Sequence, residues 1–275
     1  MRFAAASGLD RIVVLDSLTQ CVARVSVRDV VVAGSFAGAL AFGFALERGV
    51  RGLVAHAAGV GRDAAGISGL PLADGLGVPA AAVDTTSARL GDGWSVWSDG
   101  VVVHVNARAA ALGVASEQPA AVAARAMLAA PPGHASPKPL VNRRPRVVAE
   151  VDGGRVVLVD SMSFAEPKHR TDVLCAGSHG GRVNVERLLS VRPRGALFND
   201  GGGARDASGI SGLAALDAVG VAAACVDALS ARIGDPASTY ADGVVSAVNQ
   251  TARRVGVEVG QPAAEAARRM LCGGA

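Results

Sequence analysis

The chain is short of aromatic residues, which make up 3% of its 275 positions, and Lys138 and Lys168 are its only lysines. Scarce aromatics remove the stacking platforms on which single-stranded nucleic acids are held, and the basic residues are dispersed, so no nucleic-acid partner is expected. No apolar run reaches the ~20 residues that a membrane span needs, so no membrane partner is expected either. The start shows no basic segment leading into an apolar one, as a secretory signal would. Cysteines are few and scattered: Cys21, Cys175, Cys225 and Cys272 form no C-x-x-C pair and have no histidine at ligand spacing. No metal or other cofactor is implied, and a reducing, cytoplasmic location is the expectation. What abounds is glycine, with 35 residues, in a composition that is 50% hydrophobic and 19% charged with net charge +3. Such a chain buries a substantial core.

The most informative pattern is internal. A shift of 143 lays Asp29-Val30 on Asp172-Val173 and Ala33-Gly34-Ser35 on Ala176-Gly177-Ser178. The same shift lays Arg62-Asp63-Ala64 on Arg205-Asp206-Ala207, and Ser87-Ala88-Arg89-x-Gly91-Asp92 on Ser230-Ala231-Arg232-x-Gly234-Asp235. Gln118-Pro119 then meets Gln261-Pro262, and a shift of 144 pairs Asp16-Ser17 with Asp160-Ser161. About half of the aligned central positions are identical without a gap, the mark of one unit written twice. The expected organisation is a first repeat over 1–129, a proline- and arginine-rich linker over 130–146, and a second, site-bearing repeat over 147–275.

Short β-branched runs at 12–15 and 30–33 read as buried strands, repeated at 155–159 and 173–176; the short apolar runs at 53–55 and 80–83, repeated at 196–198 and 223–226, read as the next strands. Helices are expected over 64–76 and 207–219, capped by Asp63 and Asp206 and ended by Gly77 and Gly220. Val101, Val105 and Leu112, with Val244, Val248 and Val255, fall at helical spacing, so a further helix is expected there, capped by Asp99 and Asp242 and holding Asn106 and Asn249 inside it. A final alanine-rich helix follows Pro119 and Pro262. The expected fold is α/β: two tandem homologous three-layer α/β lobes with mostly parallel sheets in a pseudo-twofold arrangement. Ligands of such sheets bind at the carboxyl ends of strands.

The repeats differ at those ends. Where the first reads Gly34-Ser35-Phe36-Ala37-Gly38, the second reads Gly177-Ser178-His179-Gly180-Gly181; where the first reads His56-Ala57-Ala58-Gly59-Val60, the second reads Asn199-Asp200-Gly201-Gly202-Gly203. Ser178 is a candidate nucleophile or donor, and His179 and Asp200 are candidate acid–base groups. Gly180, Gly181, Gly201 and Gly202 would let backbone N–H groups approach an anion or oxyanion, with Asn199 beside them. Arg205 or Arg232 would neutralise a substrate anion, and Ser230 and Asp235 complete the binding set. The bland alternatives are tight turns for the glycine loops and Asp–Arg pairs joining the lobes. His56 and His104 occur in the first repeat alone.

Residues 172–189, DVLCAGSHGGRVNVERLL, resemble the phosphate-loop region of universal stress proteins, a family that includes tandem two-copy chains. The resemblance implies nucleotide binding, although here about 80 further residues follow the loop, which in that family lies near the end of each unit. The paired cysteines of two-lobed aspartate/glutamate-type racemases are missing, because Cys175 is matched by Val32 and Cys225 by Ala82. The expected function is a cofactor-independent hydrolase of an amide or related carbonyl compound, acting on a small polar or anionic metabolite, with self-association into a homo-oligomer left open. The alternative is a non-enzymatic nucleotide- or anion-binding protein.

Overall fold

A computed structural model describes residues 2–7, 10–23, 25–151 and 153–273. It is an α/β protein with two mixed, mostly parallel sheets. The first sheet runs in the order β1 (Arg2–Ser7), β2 (Asp10–Leu15), β3 (Asp29–Phe36), β4 (Gly52–His56), β5 (Ala80–Val83) and β6 (Val102–Val105). The second runs β12 (Val245–Val248), β11 (Ala222–Val226), β10 (Gly195–Asn199), β9 (Val173–His179), β8 (Gly154–Val159) and β7 (Arg146–Val151). In both sheets the four central strands are parallel and the two outer pairs antiparallel.

Two compact units divide the chain. One takes in Met1–Val60, Ala64–Val141 and Ala204–Asp206, the other Gly61–Asp63, Asn142–Gly203 and Ala207–Ala275. Most of the proline-rich connector packs with the first unit, where Glu47 accepts the N–H groups of Leu140 (2.8 Å) and Val141 (3.0 Å).

Successive strand residues point to opposite faces, and both faces of the central strands are apolar, so both must be covered. In the second unit Val156, Leu158, Cys175, Leu197 and Ala224 share a core with Ala263, Ala266, Ala267, Met270 and Leu271. The spacing of those last five is that of one helical stripe, on helix Ala263–Cys272. The other face joins Val157, Leu174, Phe198 and Cys225 to Val185 and Leu188 of helix Arg182–Val191 and to Leu213 and Leu216. In the first unit Ile12, Val30, Val32, Val54 and Ala81 pack on Ala120, Ala123, Ala124 and Met127 in the same manner. Among the described residues no helix is long and apolar enough to cross a membrane.

The segments after Asp99 and Asp242 correct one expectation. Residues 102–105 and 245–248 are strands, paired antiparallel with β5 and β11. Their β-branched residues favour that pleated edge over a helix, and helical spacing over so few residues does not discriminate. Asp92 and Asp235 are the true caps of helices Gly93–Asp99 and Pro236–Ala241. Asn106 and Asn249 are also caps, not interior residues. Asn249 Oδ1 accepts from Ala252 N (2.9 Å) and Ala223 N (3.0 Å), while its Nδ2 donates to Val221 O (2.9 Å); Asn106 bonds Ala109, Ala80 and Val78 in the same way. Asp63 and Asp206 are not caps of long helices either. Both have positive φ (54° and 56°) inside short 3-10 turns, and the α-helices that follow begin at Gly69 and Leu213.

Candidate functional site

Ser178 and His179 end β9, and helix Arg182–Val191 starts from Gly181 as its cap. Ser178 is 5% exposed, and its Oγ has no hydrogen-bond partner among the described residues, so no bond links it to His179. Its counterpart Ser35 accepts the Leu18 N–H at 2.9 Å. His179 is buried, and its Nδ1 accepts the Gly181 N–H at 3.1 Å, which places the neutral ring's proton on Nε2. Gly180 and Gly181 form the turn, and a Cβ at Gly180 would run into Cys225 Sγ.

Asn199 closes β10 and ties two loops together. Its Oδ1 accepts from Gly201 N (2.9 Å) and its Nδ2 donates to Ala231 O (3.1 Å). His56 stands at the corresponding place and makes the same pair of bonds, Nδ1 from Ala58 N (2.9 Å) and Nε2 to Ala88 O (3.0 Å). Burial pushes the His56 imidazole below its usual range, so the ring is a neutral tie. Asp200 Oδ1 accepts from Gly202 N (2.9 Å) and Ala228 N (3.0 Å), and Oδ2 from Ser246 Oγ (2.8 Å). Gly201, Gly202 and Gly203 all have positive φ, which accounts for the glycine run. Ala58 and Val60 hold the same conformation in the first unit at a cost of about 1–2 kcal/mol each.

The remaining expected residues are each engaged by local bonds. Ser230 Oγ donates to Asp227 O (2.7 Å) and accepts Val244 N–H (2.9 Å). Arg205 falls in the first unit, where Nη1 meets Asp99 Oδ2 at 3.0 Å and Ser87 O at 3.2 Å. Arg232 meets Asp235 Oδ2 at 3.0 Å and Asp63 Oδ2 at 3.2 Å, both in the second unit. Asp235 Oδ1 caps its helix by accepting from Ala237 N (2.9 Å) and Ser238 N (3.1 Å).

Asp235 alone of that set lines a cleft of about 270 Å³ at the carboxyl end of β8. Its other walls are Asn142, Arg144, Arg146, Leu158, Asp160, Pro236 and Ala237. Asp160 is half-buried, and its carboxyl is held above the usual range. Burial is the main cause and the Asp235 charge adds to it, against the Asn142 N–H and the Arg146 charge. The first unit shows why this carboxyl is placed differently. There Asp16 Oδ1 accepts the Gly93 N–H at 3.0 Å. The residue corresponding to Gly93 is Pro236, which has no N–H to give.

The sequence offered a signal for this site that its glycine loops overshadowed. Asp160 matches Asp16 only at a shift of 144, and the helix start changes from Asp92-Gly93 to Asp235-Pro236. Among the described residues no cluster of histidine, cysteine, aspartate or glutamate could hold a metal ion. Cys175 and Cys225 are buried thiols pushed well up, away from thiolate chemistry. No protein-family model, curated protein or solved structure matches the chain.

Proposed function

We propose that the protein is a small-molecule enzyme that hydrolyses an amide or related carbonyl compound without a cofactor, using Asp160 as its acid–base group. The observation that carries this reading is a half-buried carboxyl, raised above its usual range, in a metabolite-sized cleft at a strand's carboxyl end. Asp160 in its ionised form would take a proton from water as the water oxygen attacks the substrate carbonyl. The same proton would pass to the leaving nitrogen as the C–N bond breaks. Arg144 and Arg146, both exposed on the cleft wall, would hold a carboxylate or phosphate of the substrate. Asp235, fixed by its helix N–H groups and Arg232, would serve as the standing charge that keeps Asp160's proton affinity high. In this reading Asn199 and Asp200 hold the neighbouring strand ends in place.

The matching elements at a shift of 143 support an origin of both halves from one duplicated unit, with the cleft elaborated in the second. The test is turnover on a panel of N-acyl amino acids, lactams and ureas bearing a carboxylate, repeated with Asp160→Asn and Arg146→Ala. A loss of at least 100-fold in kcat with Asp160→Asn, and a raised KM with Arg146→Ala, are expected. Unchanged kcat/KM in both variants overturns the reading. Arg144 and Arg146 also favour a second reading, an anion- or nucleotide-binding protein without turnover. It is the outcome if binding of the same compounds survives Asp160→Asn and no panel member is consumed.

A further inference from the structure

A second cleft, of about 390 Å³, opens at the other end of the second sheet, among the residues that lead into its parallel strands. Arg170 and Thr171 precede β9, Arg192, Pro193 and Arg194 precede β10, and Gly220 precedes β11. Thr251, Val255 and Met270 complete the wall. None of the three arginines forms an ion pair among the described residues. Arg194 is steadied by donating from Nη1 to Leu271 O at 2.7 Å, and Arg192 takes a left-handed conformation (φ 51°) to end its helix. Two acids border this end of the sheet and both are engaged: Asp217 by the N–H and hydroxyl of Thr251, both at 2.8 Å, and Asp172 by Arg155 at 2.8 Å.

The first unit carries its charge differently: Arg28, at the place of Thr171, is paired with Asp10 at 2.7 Å. Val27 and Gly49 stand where Arg170 and Arg192 stand. Arg51, the counterpart of Arg194, makes the equivalent bond to Leu128 O but is neutralised by Asp10 at 3.0 Å. That surface is also covered, because Gly133 donates to Val27 O at 2.7 Å and the Ala135 backbone packs against Gly49. The second unit thus has three uncompensated guanidinium groups around an open cavity of metabolite size. Guanidinium groups suit oxyanions bearing several acceptor oxygens.

We propose that this cleft binds a compact polyanion, a phosphorylated or polycarboxylated metabolite, at a site separate from the Asp160 cleft. The test is calorimetric titration of the full chain with inorganic phosphate, pyrophosphate and citrate. Saturable binding of at least one is expected, and which one binds separates phosphoryl from carboxylate ligands. Arg170→Val with Arg192→Gly installs the side chains that the first unit carries at these positions, and should lower affinity at least tenfold with the melting temperature of the free protein retained. Both titrations, without and with the Arg170/Arg192 changes, are repeated in the Arg144→Ala/Arg146→Ala background, which removes the anion-holding side chains of the Asp160 cleft and should leave saturable binding at this one. Absence of saturable binding by all three anions overturns the proposal. So does affinity that persists in the Arg170/Arg192 variant on the Arg144/Arg146 background, or that disappears in that background alone.

Discussion

Asp160 lies in its cleft beside Pro236, whereas Asp16 accepts a hydrogen bond at 3.0 Å from Gly93, the residue that Pro236 replaces. Proline removes the donor, and burial with the Asp235 charge then holds the carboxyl's proton more tightly than in an unfolded chain. Folding therefore becomes less favourable as pH rises between the unfolded and folded midpoints of this group. Asp160→Asn should raise the melting temperature above that window and change it little below, a difference that denaturation scans at pH 3 and pH 7 would measure.

His56 has the opposite sense. Its burial favours the neutral ring, so the unfolded chain binds more protons below the ordinary imidazole midpoint of about 6.5, and stability falls as pH drops through that region. His56→Asn keeps the bridging geometry that Asn199 shows and removes the titration. The expected result is a flatter stability profile between pH 7 and pH 5, read from urea midpoints.

Ser35 and Ser178 should respond differently to alanine. Ser35→Ala leaves the buried Leu18 N–H without its acceptor and should cost about 1–3 kcal/mol. Ser178→Ala removes a hydroxyl that has no partner among the described residues, so stability should hold or rise by about 1 kcal/mol. Equilibrium unfolding of the two variants measures the contrast.

Asn249→Ala strands the N–H of Ala223 and Ala252 and the carbonyl of Val221, all in buried surroundings. A loss of about 3 kcal/mol is expected. Asn249→Asp retains the acceptor and should recover part of it, a graded series that a merely steric role would not produce.

The fold was legible where burial repeats over several residues. The valine- and alanine-rich strands and the stripe of helix Ala263–Cys272 follow directly from apolar spacing. Edge strands were harder, because β7 is largely exposed and β6 and β12 are four residues long, too short for a period to separate strand from helix. The polar loops were legible as loops but not as chemistry. The Gly201–Gly203 run reports positive φ, and Asn199 does the work of His56, so the most distinctive sequence difference is in part a change of loop fastening. The cleft was not legible because it joins residues 142–160 to residues 235–237, and its key change is a missing N–H, which composition does not show.

The Asp160 carboxyl is held above its usual range by burial and by the charge of Asp235. A carbon-13 NMR titration of the aspartate carboxyls in the intact protein, with and without Asp235→Asn, tests it most directly. The expected result is an Asp160 midpoint above that of an exposed aspartate, moving down when Asp235 is neutralised. A midpoint at or below the ordinary value, indifferent to Asp235, would contradict it.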